Sequence, residues 1–300
     1  MKMLKNNTTL QSLCLLLLAM ICVQSSASLA KSLFSVFPVL TVSALRLFLG
    51  FSLLAIFFRI WTVNFRAIRW KTIISYGTAL AGMNAIFYLS LQRLPLGIAV
   101  SFEFIGPLSV ALFHAKTRFD FVWVILAILG IILMFPFNQV DASLDLFGVA
   151  LAVLAGACWA FYILSGQKSS GISGQHTVCL GMFVGSCILM PIALGLGMPS
   201  QVLDLPYALY FILLALLASA LPFSFEMVAL KHLSPLSFGT LMSLEPVMAA
   251  LSGILFLSEH LLWTQWLALA MIILASLGCT YTTHQAKQRL EKKLAEKKHP

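Results

Sequence analysis

The chain has 300 residues, 60% of them hydrophobic and only 10% charged, with a mean hydropathy of +0.97, which excludes an ordinary soluble domain. Its net charge of +9 does not mark a nucleic-acid binder. Six of the basic residues lie in the last 18 positions, and most others sit in short joints between apolar segments, as topology signals do.

In chain order, the apolar segments predict spans at 11–33, 38–60, 72–92, 96–115, 120–138, 146–166, 177–197, 206–230, 236–257 and 262–282. Each is about as long as a helix needs to be to cross a hydrocarbon core about 30 Å thick. Only helices and closed barrels satisfy their backbone groups at that depth. The reading is therefore an all-α polytopic membrane protein with ten transmembrane helices. The joints are too short to hold a soluble domain. The first segment has a rival reading, since Lys2, Lys5, the apolar run 13–23 and Ser25-Ser26-Ala27 imitate a secretory signal with its cleavage site. Cleavage would leave nine spans. The apolar character continues to Phe34 and favours a retained span.

With the N-terminus in the cytoplasm, 16 of the 19 Lys and Arg residues fall inside, Lys31 and Arg93 fall outside, and Arg46 is within a span. Asp141, Asp145, Asp204 and Glu259 fall on the outer side. Both termini are then cytoplasmic. The tail 283–300 reads as a solvated basic segment near anionic lipid headgroups.

A repeat runs through the chain. Residues 84–113 resemble residues 223–252 at an offset of 139, with Leu91 on Leu230, Leu94 on Leu233 and Pro107 on Pro246. Trp123 and Trp266 correspond at an offset of 143, and both suit interfacial positions. The chain divides into five spans (1–142) and five more (143–282). With an odd number per unit, the second unit enters the membrane from the opposite side. The two units form an inverted repeat, an arrangement suited to alternating access around a midplane site.

Four charges lie within spans: Arg46, Glu103, Glu226 and Glu245. Such residues cost a few kcal/mol near the bilayer centre and commonly face a bundle interior or mark a solute or proton path. Burial favours the neutral form of a carboxyl group, which suits proton exchange. Arg46 has a structural alternative, an ion pair with one of the glutamates. Pro107, Pro222 and Pro246 are expected helix kinks, because an interior proline removes a donor and clashes with the carbonyl four residues back. Pro107 frees the carbonyl of Glu103, Pro246 that of Met242, and Pro222 lies one turn before Glu226. Gln24, Ser28, Asn84, Tyr88, Ser101, Trp159, Tyr162 and Ser243 are candidate cavity lining, with helix–helix contact as the alternative for each. Gly181-x-x-x-Gly185 permits close helix packing.

Several chemistries are missing. The six cysteines show no CxxC spacing, no histidines pair at ligand spacing, and H-E-x-x-H, G-x-S-x-G and the phosphate-binding G-x-x-x-x-G-K-[ST] are absent. No metal, cofactor or enzymatic activity is expected, and no nucleic acid.

The stretches SLAKSLF (28–34), ALRLFLG (44–50), GMNAIFYLS (82–90), PLGIAVSFEFIGPLSVALF (95–113), FVWVILAILG (121–130), GACWAFYILSGQ (156–167) and FGTLMSLEPVMAALSGILFLSE (238–259) resemble the drug/metabolite transporter superfamily. The resemblance is to its ten-span branch with two EamA-type repeats, and there to the amino-acid exporters. It implies export of small amino acids, threonine- or homoserine-like, across the bacterial inner membrane, driven by the proton gradient. It places Arg46, Asn84, Glu103, Trp159 and Glu245 in a central site. On this reading the partners are an amino acid, protons and membrane lipids, with a homodimer as one option for the assembly. Transport of another small solute (a purine, a sugar derivative, a drug) or uptake of an amino acid stays open, because fold alone does not set substrate.

Overall fold

The computed structural model describes residues 2–113, 120–134, 145–168, 172–232 and 241–296, and the regular structure among them is helical throughout. In chain order the α-helices are α1 (Lys2–Leu33), α2 (Val39–Phe57), α3 (Trp70–Leu91), α4 (Leu96–Glu103), α5 (Ile105–Phe113), α6 (Asp120–Leu133), α7 (Leu146–Gln167), α8 (Gly174–Gly195), α9 (Leu205–Ala215), α10 (Leu221–His232), α11 (Glu245–Leu257) and α12 (Trp263–Glu296). Six stretches are long and apolar enough to cross a membrane: Gln11–Leu33, α2, α3, α7, α8 and Leu205–Glu226, which runs through α9 into α10. Leu96–Val110, α11 and Trp263–Gly278 are shorter apolar helices. The end of the fifth expected span, the start of the ninth, and Lys116, Arg118 and Asp141 lie outside the described residues.

Two boundaries differ from the sequence reading. Helix α1 begins at Lys2, well before the apolar run, and α12 continues through the basic tail to Glu296 instead of ending near 282. In both places the helix extends beyond its hydrophobic part. In the tail, Lys, Glu, Gln and Ala are good helix formers; at the start of α1, Asn6, Asn7, Thr8 and Thr9 are weak ones, and the helix there propagates from the nucleated apolar part.

Helix α3 packs on α7 and α8, α1 on α10 and α11, α2 on α8 and α9, α4 on α7 and α11, α5 on α7, and α6 on α12. The main core gathers Tyr88 of α3, Leu96 and Phe102 of α4, Phe211 of α9 and Ala249 of α11 around Phe37 from the turn after α1. Outer faces such as Ile125, Ile128, Leu129 and Ile132 on α6 stay exposed and apolar, as a lipid-facing surface requires. The glycine pair of α8 does what its spacing suggested. A Cβ on Gly181 would lie 2.5 Å from the Tyr76 ring, and one on Gly77 would lie 2.7 Å from the Gly181 carbonyl oxygen, so α3 and α8 cross at close range.

Three interruptions coincide with the three prolines. Phe104 is a turn between α4 and α5, where Pro107 has no N–H for the Glu103 carbonyl. A single π-turn at Leu216–Ala220 precedes Pro222. Ser243 and Leu244 form a turn before α11, which carries Pro246 in its first helical turn. Pro246 is therefore a helix-start proline and not an interior kink. Its missing N–H is among those that a helix N-terminus leaves unbonded in any case.

Candidate functional site

Two of these interruptions deliver a carboxyl group to the interior. Glu103 is the last residue of α4 and Glu245 the first of α11, and both are buried. They line one cavity of about 110 Å³ together with Val23, Gln24 and Ala27 of α1, Arg46 of α2, Met83, Asn84 and Phe87 of α3, Val100 of α4 and Trp159 of α7. Tight backbone packing holds Glu103 in place. A Cβ on Gly156 of α7 would collide with the Glu103 carbonyl oxygen, and one on Gly106 with the Gly156 carbonyl. Only glycines allow α5 and α7 to meet at this point.

Arg46 Nη1 donates to the Tyr88 hydroxyl at 2.9 Å, and its guanidinium carbon lies 5.3 Å from the Tyr88 ring centroid. Its Nε is buried without a partner among the described residues. The structural alternative for Arg46, an ion pair with a glutamate, does not form among the described residues, whose two ion pairs are Lys31–Glu259 and Arg93–Asp145. The side chains of Glu103, Glu245 and Gln24 have no hydrogen-bond partner among the described residues, so their bonding capacity is free for a ligand or water. Asn84 gives one amide proton to the Leu80 carbonyl at 2.8 Å, four residues back on its own helix.

Arg46, Asn84, Glu103, Trp159 and Glu245 therefore converge, and Tyr88 supports Arg46 from behind. Tyr162 and Glu226 do not line the cavity. Tyr162 lies against Tyr76, with ring centroids 4.4 Å apart and ring planes inclined by 33°. Glu226 lies near both tyrosines. These three residues form a second polar cluster. Ser28 and Ser243 tie helices instead, Ser28 bonding to Ser252 at 2.8 Å and Ser243 to Ser276 at 2.9 Å, while Ser101 donates to the Gly97 carbonyl of its own helix at 2.6 Å. The apolar lining of Val23, Ala27, Met83, Phe87 and Val100 was missed in the sequence. Neighbours at helical spacing give the only signal, such as Val23 and Ala27 flanking Gln24 on one face.

A latch joins three helices away from the cavity. Lys31 Nζ lies 2.6 Å from Glu259 Oε1 and also donates to the Leu94 carbonyl at 2.7 Å. Glu259 Oε2 accepts from the Leu96 backbone N–H at 2.7 Å, placing a carboxylate at the start of α4. Ser258 takes φ of 54°, and the Glu259 N–H returns to the Gly253 carbonyl at 3.1 Å, which turns the glutamate back over its own helix. Gly253 leaves the room this carboxylate occupies. The sequence reading had Lys31 and Glu259 only as outer-side charges.

Helices of membrane-crossing length around a small cavity lined with opposite charges define a multi-pass membrane transporter of small solutes. The chain belongs to the EamA-like transporter family, whose match covers residues 146–281. It is 48% identical over 275 residues to the threonine/homoserine exporter RhtA of Escherichia coli strain K12, covering 90% of this chain and 92% of that one. It is 47% identical over 277 residues to the protein of the same name in Salmonella typhimurium strain SL1344, covering 91% and 92%. A crystal structure only 15% identical in sequence shares the fold over 94% of this chain and 99% of that one, with a TM-score of 0.64. The chain is thus a transporter and not an enzyme.

Proposed function

We propose that the protein exports small amino acids of the threonine and homoserine type across the bacterial inner membrane by alternating access, coupled to proton movement. The observation that carries this reading is the convergence of Arg46, Glu103 and Glu245 on one small cavity. A zwitterion needs an anionic partner for its ammonium group and a cationic one for its carboxylate. The unpartnered Arg46 Nε suits the second and the free glutamates the first. At about 110 Å³, the cavity is well below the roughly 300–1,000 Å³ of sites for drug-sized ligands, which favours a small solute. The names of the two exporters it resembles point the same way.

Packing supports ten spans in two inverted units, 1–142 and 143–282, followed by a cytoplasmic basic tail at 283–300. Counting α4 with α5 and α9 with α10 as single spans, exchange of the two halves turns the α3–α7 contact into α10–α1 and the α4–α7 contact into α11–α1. The α2–α8, α4–α11 and α6–α12 contacts map onto themselves. All of these contacts are present. The family match over 146–281 coincides with the second unit. The charge bias places both termini in the cytoplasm.

Protonation of Glu103 or Glu245 from outside weakens its hold on the ammonium group and releases the amino acid. The neutral carboxyl then carries its proton inward as the cycle resets. The second polar cluster, Tyr76, Tyr162 and Glu226, offers titratable groups through which a proton can leave. The test uses labelled threonine and homoserine in loaded right-side-out and inverted vesicles, with and without a pH gradient, for wild type and Glu103→Gln. Gradient-driven movement that the variant loses is expected. Full gradient-driven export by both Glu103→Gln and Glu245→Gln removes the proton-coupling role.

A further inference from the structure

We propose that Gln24 is a specificity-determining residue: its amide reads the side-chain hydroxyl of the transported amino acid. This deepens the amino-acid reading above and rests on it. Gln24 is 4% exposed and lines the cavity from α1. Its side-chain amide has no hydrogen-bond partner among the described residues. Its amide atoms are not sealed off in the packing, so they face the cavity, where a ligand or water can take up their bonding capacity.

The rest of the lining leaves Gln24 this task. Arg46 and the two glutamates answer the two charges common to all amino acids. Asn84 has one donor committed to the Leu80 carbonyl, which holds its amide against its own helix, and Trp159 can donate through its indole N–H but cannot accept. Met83, Phe87, Val100, Val23 and Ala27 offer no hydrogen bond at all. Gln24 has two donors and an acceptor free, so it complements a hydroxyl in either sense.

The backbone beneath Gln24 is anchored. Ser252 Oγ donates to the Gln24 carbonyl at 3.0 Å, which makes Ser28 the donor in the 2.8 Å Ser28–Ser252 contact. Residue 24 is thereby fixed against α11, the helix that begins with Glu245, while its three side-chain torsions stay adjustable. A long amide on a fixed base reaches a hydroxyl on either the β- or the γ-carbon. One side chain thus serves both threonine and homoserine.

The experiment is competition for counterflow of labelled threonine in proteoliposomes, using pairs in which a methyl group replaces the hydroxyl: threonine against valine, and homoserine against norvaline. Wild type is expected to prefer each hydroxyl compound about tenfold, the worth of one net hydrogen bond. In Gln24→Leu the preference falls to within about twofold of unity, with valine still transported. Gln24→Asn keeps an amide on a shorter arm and is expected to retain a preference while changing the threonine-to-homoserine ratio. Wild type that transports all four without preference overturns the proposal. So does an unchanged preference in Gln24→Leu or, where that variant does not insert, in Gln24→Ala. Wild type that moves none of the four overturns the amino-acid reading itself, a result distinct from movement without preference.

Discussion

Arg46 is the cation of the cavity, and its geometry is as important as its charge. Its bond to Tyr88 fixes one edge of the guanidinium and leaves Nε free. Lysine keeps the charge but has no planar fork. Arg46→Lys is expected to raise the half-saturation concentration for threonine by roughly tenfold, the scale of a lost charge-assisted hydrogen bond. Tyr88→Phe, which removes only the support, is expected to do so by about threefold. Transport kinetics in vesicles measure both, and unchanged half-saturation in the two variants would move the carboxylate subsite away from Arg46. That Arg46, Glu103 and Glu245 are interior charges was legible in the sequence, because a charge in a hydrophobic span stands out. That Arg46 takes a tyrosine as its partner was not, because Tyr88 lies on another helix 42 residues away.

At the scale of elements, the interruption after Glu103 depends on two glycines. The α5–α7 crossing brings Gly106 and Gly156 into backbone contact beside the Glu103 carbonyl. Gly156→Ala is expected to cost about 2 kcal/mol through overpacking. It should lower the midpoint of thermal unfolding in detergent by a few degrees and reduce transport through displacement of Glu103. An unshifted midpoint contradicts the contact.

The start of α7 carries a different dependence. Asp145 Oδ2 accepts from Arg93 at 2.8 Å, and Oδ1 accepts the N–H groups of Phe147 and Gly148 at 2.9 and 3.1 Å. The bond from Arg93, followed by the Gly148 N–H, holds the Asp145 carboxyl below its ordinary range. A lowered folded value means that its contribution to stability is present above the unfolded value, about pH 4, and is lost as pH falls through the lowered one. The difference in unfolding midpoint between wild type and Asp145→Asn should therefore be constant near neutrality and vanish in strong acid. A difference that grows on acidification is the contrary result. Prolines marked all three interruptions in the sequence. Proline chemistry alone did not say which would become a turn, which a π-turn and which a helix start, because the neighbouring helix decides how the freed backbone is accommodated.

Across the whole molecule, the Lys31–Glu259 latch ties α1 and the start of α4 to the end of α11. On the proposed orientation it lies on the outer side, which makes its release a test of whether it gates access to the cavity from outside. Glu259→Gln is expected to release it. In a background with the native cysteines replaced, a cysteine at Val23 should then react with a membrane-impermeant thiol reagent added outside, at least several-fold faster than in the parent carrying Glu259. Equal rates would mean that the latch does not gate.

The sequence by itself determined that this is an all-helical membrane protein, and it pointed to the residues carrying interior charge. Both follow from solvation, since a chain this apolar cannot fold in water and a charge within it must have a reason to be there. Only the tertiary structure decided which of those residues share a cavity. Arg46, Asn84, Glu103, Trp159 and Glu245 line it, while Tyr162 and Glu226 stand apart with Tyr76. Side-chain direction at a helix break depends on how neighbouring helices cross. Those crossings are set by small residues such as Gly106, Gly156 and Gly181, whose contacts lie far away along the chain.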